Sequence, residues 1–397
     1  MNNTFKLSAL ALGSLLLTGC DLDSDTKDPT PIVNTETVAI SIGSPDFSSP
    51  STVSIIGTDA NHTASTQLNE QNDSNNTLST YKDSFYILDQ TAGTVTKYNT
   101  LKPTTAIWQC SVNSASDTGT NSNPQQIIHA SDDKAYIIRY GNTDFNSGEA
   151  KSGKNIWVIN PNIASSAKCG DLKTAEINLS QFDSADKPDM KSAAIVNGKL
   201  FVAMQNLTGF TADKTSQVVV IDTATDTIID VDANTAGVQA INLIGKNPAK
   251  IVYSATAGKL FVSNTGNYNS ADGFAGIDSI DPTNYSVTNV VKQTAELGTI
   301  TDVAIISATK GYLLAYATWG NDVLYHFNPS ATNAQTPANP NSAFKNITMQ
   351  TIVSKGSELW VGATNEIKIL NTVTEQETAS IETFMNPKAI GFSTKIQ

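Results

Sequence analysis

Two stretches of the chain carry side-chain oxygens at the alternating spacing that a hard divalent cation needs. In Asn142-Thr-Asp144-Phe-Asn146-Ser-Gly148-Glu149 they fall at i, i+2 and i+4, and Asn267-Tyr-Asn269-Ser-Ala-Asp272-Gly273 partly echoes that order. Calcium is the cofactor such loops would hold, through Asn142, Asp144, Asn146, Asn267, Asn269 and Asp272. The alternative needs no metal, because Asx-Gly loops close turns with the same residues, and the first loop lacks the glycine position and twelfth-position glutamate of an EF-hand. His62, His129 and His326 fall at unrelated places. No nucleophile elbow, His-rich metal set or phosphate-cradling glycine loop appears, so no catalytic residue is assigned. Cys110 and Cys169 either pair or stay two separate thiols, since neither has a His or Cys at metal-site spacing.

The third cysteine has a different setting. A short, weakly basic start leads into an apolar run over residues 7–17, too brief to span a bilayer, and then Leu17-Thr18-Gly19-Cys20. These four residues resemble the lipobox of bacterial lipoproteins. The resemblance implies that residues 1–19 are a cleaved signal peptide and that Cys20 carries acyl chains such as palmitate. Each buried CH₂ is worth about 0.8 kcal/mol, so several chains hold a protein at a membrane almost irreversibly. The compartment expected is the bacterial cell envelope, where a Cys110–Cys169 disulfide is permitted. Asp21 resembles an inner-membrane retention signal of enteric bacteria, which sets an inner-membrane site facing the periplasm against the outer membrane otherwise expected.

Residues 20–36 are polar, acidic and proline-bearing, the composition of a flexible tether. The formal net charge is −12 with only 25 Lys and Arg, which excludes nucleic acid as a partner on electrostatic grounds. The membrane, reached through Cys20, and a small molecule or an envelope protein are the partners left.

From residue 37 to 397 the chain is one repetitive all-β domain. Strand pairs recur at 84–89 with 94–98, 134–139 with 155–159, 199–203 with 218–221, 259–263 with 276–280, 311–315 with 323–327, and 358–362 with 366–370. Each is short, rich in Val, Ile and aromatics, and bounded by Gly, Asn or Asp. Polar turns such as Asp222-Thr-Ala-Thr-Asp226 follow the second strand, and a further strand stands on either side of several pairs. A four-stranded unit repeated about every 50 residues reads as a propeller blade. Residues 38–42 and 52–56 lack a preceding strand, and 387–392 lack following ones. Joining them closes a seven-bladed β-propeller in which the C-terminal strand completes the N-terminal blade and no sheet edge is left open.

Gly-Lys-Leu-Phe-Val at Gly198 and Gly258, with Val219-Val-Ile-Asp-Thr-Ala-Thr225, resembles the YVTN-repeat, YncE-like propellers of bacterial envelopes. The likeness spans residues 37–392 and implies the fold. It leaves the ligand open, because relatives serve as binding platforms, scaffolds and enzymes.

With strands a to d in each blade, the b–c loops and d–a crossings share one face. The a–b turns are tiny, whereas b–c loops are long at 140–154, 205–217 and 264–275. Function concentrates in loops on a rigid scaffold, so the b–c face is the expected binding face. Phe145, Phe210, Tyr268, Phe274 and Trp319 lie in these loops, either to stack a ligand or anchor a partner, or to fold back over the blade edges. The expected function is non-catalytic ligand binding at that face. The alternatives are a protein scaffold within an envelope complex and, behind both, a quinone-type oxidoreductase, for which no convincing ligand set is present.

Overall fold

The computed structural model describes residues 35–396 except 47, 60, 66–67, 115–121, 142–154, 184–186 and 339–341. Its strands form seven separate antiparallel sheets. Blade 4 shows the pattern: strand a is Met190–Val196, b Lys199–Met204, c Gln217–Asp222 and d Thr227–Ile229, with the short Ile241–Asn242 also pairing with c. A tight turn through Asn197 and Gly198, both at positive φ, joins a to b; only Asn, Asp and Gly take that conformation cheaply.

Blade 1 is assembled from both ends of the domain. Asn386–Ile396 pairs with Thr35–Ser44 over ten residue pairs, and Thr52–Gly57 and Ala64–Ser65 complete the sheet. The N-terminal strand of this blade begins at Thr35, slightly ahead of the boundary at 37 expected from the sequence. No helix among the described residues is long and apolar enough to cross a membrane.

The core is seven clusters rather than one, each lying between two successive blades. In strand b of blade 4, Leu200 and Val202 pack toward blade 3 while Phe201 and Ala203 pack toward blade 5. Period-two alternation therefore feeds two different clusters, and every residue of the strand after Lys199 is apolar because both faces are covered. Trp360 and Ile367 of blade 7 meet Ala39 and Ile56 of blade 1, which meets Phe85 and Tyr98 of blade 2 through Ile40 and Ile42. The ring is closed by packing as well as by strand pairing.

Polar staples link the blades on the face that carries the a–b and c–d turns. Lys134 and Tyr136 of blade 3 reach Asp226 in the c–d turn of blade 4, at 2.8 and 2.6 Å. Lys310 and Tyr312 of blade 6 reach Glu375 in the equivalent turn of blade 7, at 2.5 and 3.5 Å. The turns themselves are Asx turns: Asp222 Oδ1 accepts from the backbone N–H of Ala224 and Thr225, and Asn371 Oδ1 from those of Val373 and Thr374. At the outer rim the disulfide Cys110–Cys169, with Cα atoms 5.5 Å apart, joins the outermost strand of blade 2 to a 3-10 segment, Ser166–Asp171, of blade 3.

Candidate functional site

The innermost strands, Asn76–Tyr81, Pro124–His129, Met190–Val196, Pro248–Ser254, Thr299–Ile305, Met349–Lys355 and Asn386–Ile396, surround the axis. Between them runs a channel of about 670 Å³ to which all seven contribute. Each inner strand starts on the face that bears the b–c loops. Asn123, Asp189, Asn247 and Gly298, all at positive φ, turn the chain into four of them. At Gly298 a Cβ would lie 2.4 Å from the Tyr316 carbonyl oxygen, so the close approach also demands glycine.

Polar groups line this channel. Lys191 Nζ donates to Gln125 Oε1 at 2.6 Å, and Lys388 Nζ donates to the Ser74 carbonyl at 2.5 Å. Lys250 is paired with Asp302 at 2.7 Å, and Asp302 also accepts from Thr351 Oγ1 and the Ile352 N–H. Burial pushes the Lys191 ammonium down to about 8 and holds that of Lys388 below the ordinary lysine value despite the field of Asp73. At the opposite end His129 stacks on Tyr81 with centroids 3.9 Å apart. Burial pushes His129 down to about 4, so it is neutral at pH 7, with Nδ1 placed 3.3 Å from the Ser131 carbonyl.

On the b–c face a second recess of about 230 Å³ adjoins the channel and shares Thr301 and Gln350 with it. Trp319 and Tyr316 form its aromatic wall, ring centroids 5.5 Å apart and edge to face, and Trp319 is 66% exposed. Met349, Thr348 and Asp322 complete the lining. Asp322 accepts from the Met349 N–H at 2.9 Å, yet burial pushes its carboxyl up to about 6.

The other residues singled out from the sequence divide. Phe210 and Tyr268 are 77% and 58% exposed on the same face. Although its ring is exposed, Tyr268 has its phenol raised above the ordinary value by desolvation, and burial raises Tyr140 and Tyr316 as well, with a smaller contribution from Tyr268 beside them. Phe274 is half-buried with Lys246 Nζ 3.9 Å from its ring centroid, a cation–π contact. Asn267 and Asp272 are turned on each other: Asn267 Nδ2 donates to Asp272 Oδ2 at 2.7 Å, Asn267 Oδ1 accepts from the Ala212 N–H, and Asp272 Oδ1 from the Phe274 N–H. Asn269 has positive φ, and its N–H donates to Thr299 Oγ1. Among the described residues no group of three or more His, Cys, Asp and Glu is placed to hold a metal ion. Cys20, Phe145, Asn142, Asp144 and Asn146 lie outside the described residues.

Loop length and loop aromatics do not point to Lys191, Lys250, Asp302 or Lys388, which stand on strands. A signal for them exists in the text of the repeat. Pro124-Gln-Gln126, Met190-Lys-Ser192, Pro248-Ala-Lys250, Ile300-Thr-Asp302, Met349-Gln-Thr351 and Pro387-Lys-Ala389 each insert one residue before the apolar alternation resumes.

The fold and channel define a seven-bladed β-propeller with a polar axis. No protein-family model and no curated protein matches the chain. Solved structures do. The periplasmic gluconolactonase PpgL of Pseudomonas aeruginosa is 11% identical, with 90% of this chain and 99% of that one covered at a TM-score of 0.57. Apo AztD from Citrobacter koseri is 10% identical, covering 91% and 99% at 0.52. Hydrazine synthase of Kuenenia stuttgartiensis is 14% identical, covering 78% and 87% at 0.54. At these identities the likeness establishes the fold, and function rests on this chain's own site.

Proposed function

We propose that the protein is a lipid-anchored propeller of the bacterial envelope, of the YVTN-repeat, YncE-like kind, that binds a small ligand without catalysis at its b–c face. The carrying observation is the recess beside the channel mouth. Trp319 and Tyr316 offer an aromatic wall, Met349 an apolar base, and Thr301, Thr348 and Gln350 polar atoms at the edge. Few polar groups set among apolar ones is the usual composition of a small-molecule site. A protein scaffold is the second reading, favoured by the exposure of Phe210 and Tyr268 on the same face. The periplasmic setting in the name of one structural neighbour agrees with the lipobox at Cys20.

Equilibrium dialysis of the full chain against a small-molecule extract of bacterial envelopes, followed by mass spectrometry, tests the reading. The native protein should enrich at least one compound that Trp319→Ala does not. Equal enrichment by both would remove the recess from consideration. Incorporation of labelled palmitate that is lost in Cys20→Ser checks the anchor.

A further inference from the structure

The inner strands share one irregularity. In six of the seven, the pairing with strand b skips a residue at the same place near the start: Gln125, Lys191, Ala249, Thr301, Gln350 and Lys388. A β-bulge leaves its extra residue out of the ladder and re-aims the side chain. All six of these residues border the channel. The b–c mouth is therefore ringed, at equivalent register positions, by two ammonium groups, two carboxamides, a hydroxyl and a methyl group.

The order of blades sets where the charges stand. Lys191 belongs to blade 4 and Lys388 to blade 1, and in a ring of seven the first blade lies across the axis from the fourth and fifth. The two ammonium groups thus occupy opposing walls. Among the described residues each donates to a neutral acceptor, the Gln125 carboxamide and the Ser74 carbonyl, and the field of Asp73, which reaches Lys388, does not outweigh its burial. Asp302 is the only carboxylate among the described lining residues, and Lys250 engages it. Structural cations half-buried in a protein are ordinarily paired, since a desolvated ammonium without an anion is costly. Among the described lining residues no second carboxylate answers them, and Gln350 adds a carboxamide at the mouth, whereas the amides of Gln125 and Gln126 already donate to Asn123 and to the Ala193 carbonyl.

We propose that the b–c mouth of the channel binds a small organic anion carrying two negative charges, one end at Lys191 and the other at Lys388. Dicarboxylates and phosphate esters share this chemistry. The ring of bulges is the device that holds the lysines at the axis. The inference stands on the channel alone and does not depend on the Trp319 recess.

Calorimetric titration of the full chain with succinate, citrate and inorganic phosphate at pH 7 and low salt is the test, with melting curves confirming that each variant is folded. At least one probe should bind, and the better of carboxylate and phosphate identifies the source. Lys191→Gln and Lys388→Gln should each weaken that probe by about tenfold or more, as expected for one lost charge-assisted contact. The double variant should show no heat, whereas exposed Lys102→Gln and charge-retaining Lys191→Arg should stay close to the native affinity. Absence of binding by all three probes would overturn the proposal, as would unchanged affinity in the double variant. A loss in Lys191→Arg equal to that in Lys191→Gln would also overturn it, because packing rather than charge would then be the cause.

Discussion

Lysines on the turn-bearing face and lysines at the channel mouth occupy similar half-buried positions but keep different company. On the turn face Lys134 and Lys310 each meet a carboxylate of the next blade within 2.8 Å, and a tyrosine shares the acceptor. At the mouth Lys191 and Lys388 meet a carboxamide and a carbonyl. The first arrangement is complete within the protein and fastens blade to blade. The second leaves two cations hydrogen-bonded to neutral acceptors among the described residues, and burial lowers the ammonium of both, that of Lys388 despite the field of Asp73. The contrast separates charge used to hold the ring from charge available to something outside it.

The largest expected effect sharpens the structural side of that contrast. Cys110–Cys169 is a covalent staple between blades 2 and 3 that closes a segment of 59 residues. In the chain-entropy model such a loop contributes about 4 kcal/mol. Cys110→Ser with Cys169→Ser should therefore lower the unfolding free energy by about that amount in denaturant titrations, while anion binding at the channel mouth stays unchanged.

Next in size is the pH dependence tied to Lys191. Its ammonium is held at about 8 in the folded protein and at the ordinary lysine value of 10.5 when exposed. Between these values the unfolded chain binds the extra proton, so stability rises with pH across that window, by about 3 kcal/mol for this one group. Lys191→Met should flatten the rise and make the protein more stable at pH 7. Lys250, Asp302, Lys388 and His129 line the same channel, and Asp189 nearby is paired with Lys187 at 2.6 Å, so the native profile must be compared with the variant's rather than read alone. Identical profiles for the two proteins would mean that Lys191 is solvated.

The ring itself was legible because its b strands are short, close in length and apolar on both faces. Lys199-Leu-Phe-Val and Lys259-Leu-Phe-Val send alternate residues into two neighbouring clusters, and that doubly covered environment writes itself into the text. Closure was legible from incomplete units at the two ends. Trp319 was singled out because it stands in a b–c loop, and that loop borders a recess whose binding role is proposed. Asn267 and Asp272 show the limit of spacing as a guide: the same oxygens that suit a cation are engaged here by N–H groups of the loop and its neighbour. The channel lysines were missed for a different reason. A bulge shifts the alternation by one residue, so Lys191 and Lys388 look like surface residues at the edge of a strand until the seven inner strands are aligned on one another.

The smallest effect expected has the opposite sign from the one at Lys191 and makes the sharpest use of the comparison. Asp226 accepts from Lys134 and from the Tyr136 hydroxyl, and both Lys134 and Asp226 side chains are only about a quarter exposed. Removing the acid in Asp226→Ala strands a cation and a phenol that the structure has otherwise desolvated, although the Thr223 carbonyl still accepts from Lys134. The cost should be about 2 kcal/mol in denaturant titration at pH 7, since one charged and one neutral bond lose their acceptor together and alanine also fits the positive φ of this position less well than aspartate. Lys134→Met combined with Asp226→Ala should recover part of it, because the stranded ammonium goes with its partner. At the channel mouth a single Lys191→Met is stabilising with no second change. If Asp226→Ala costs nothing, pairing on the turn face is incidental, and the missing partners at the mouth lose their value as a sign of function.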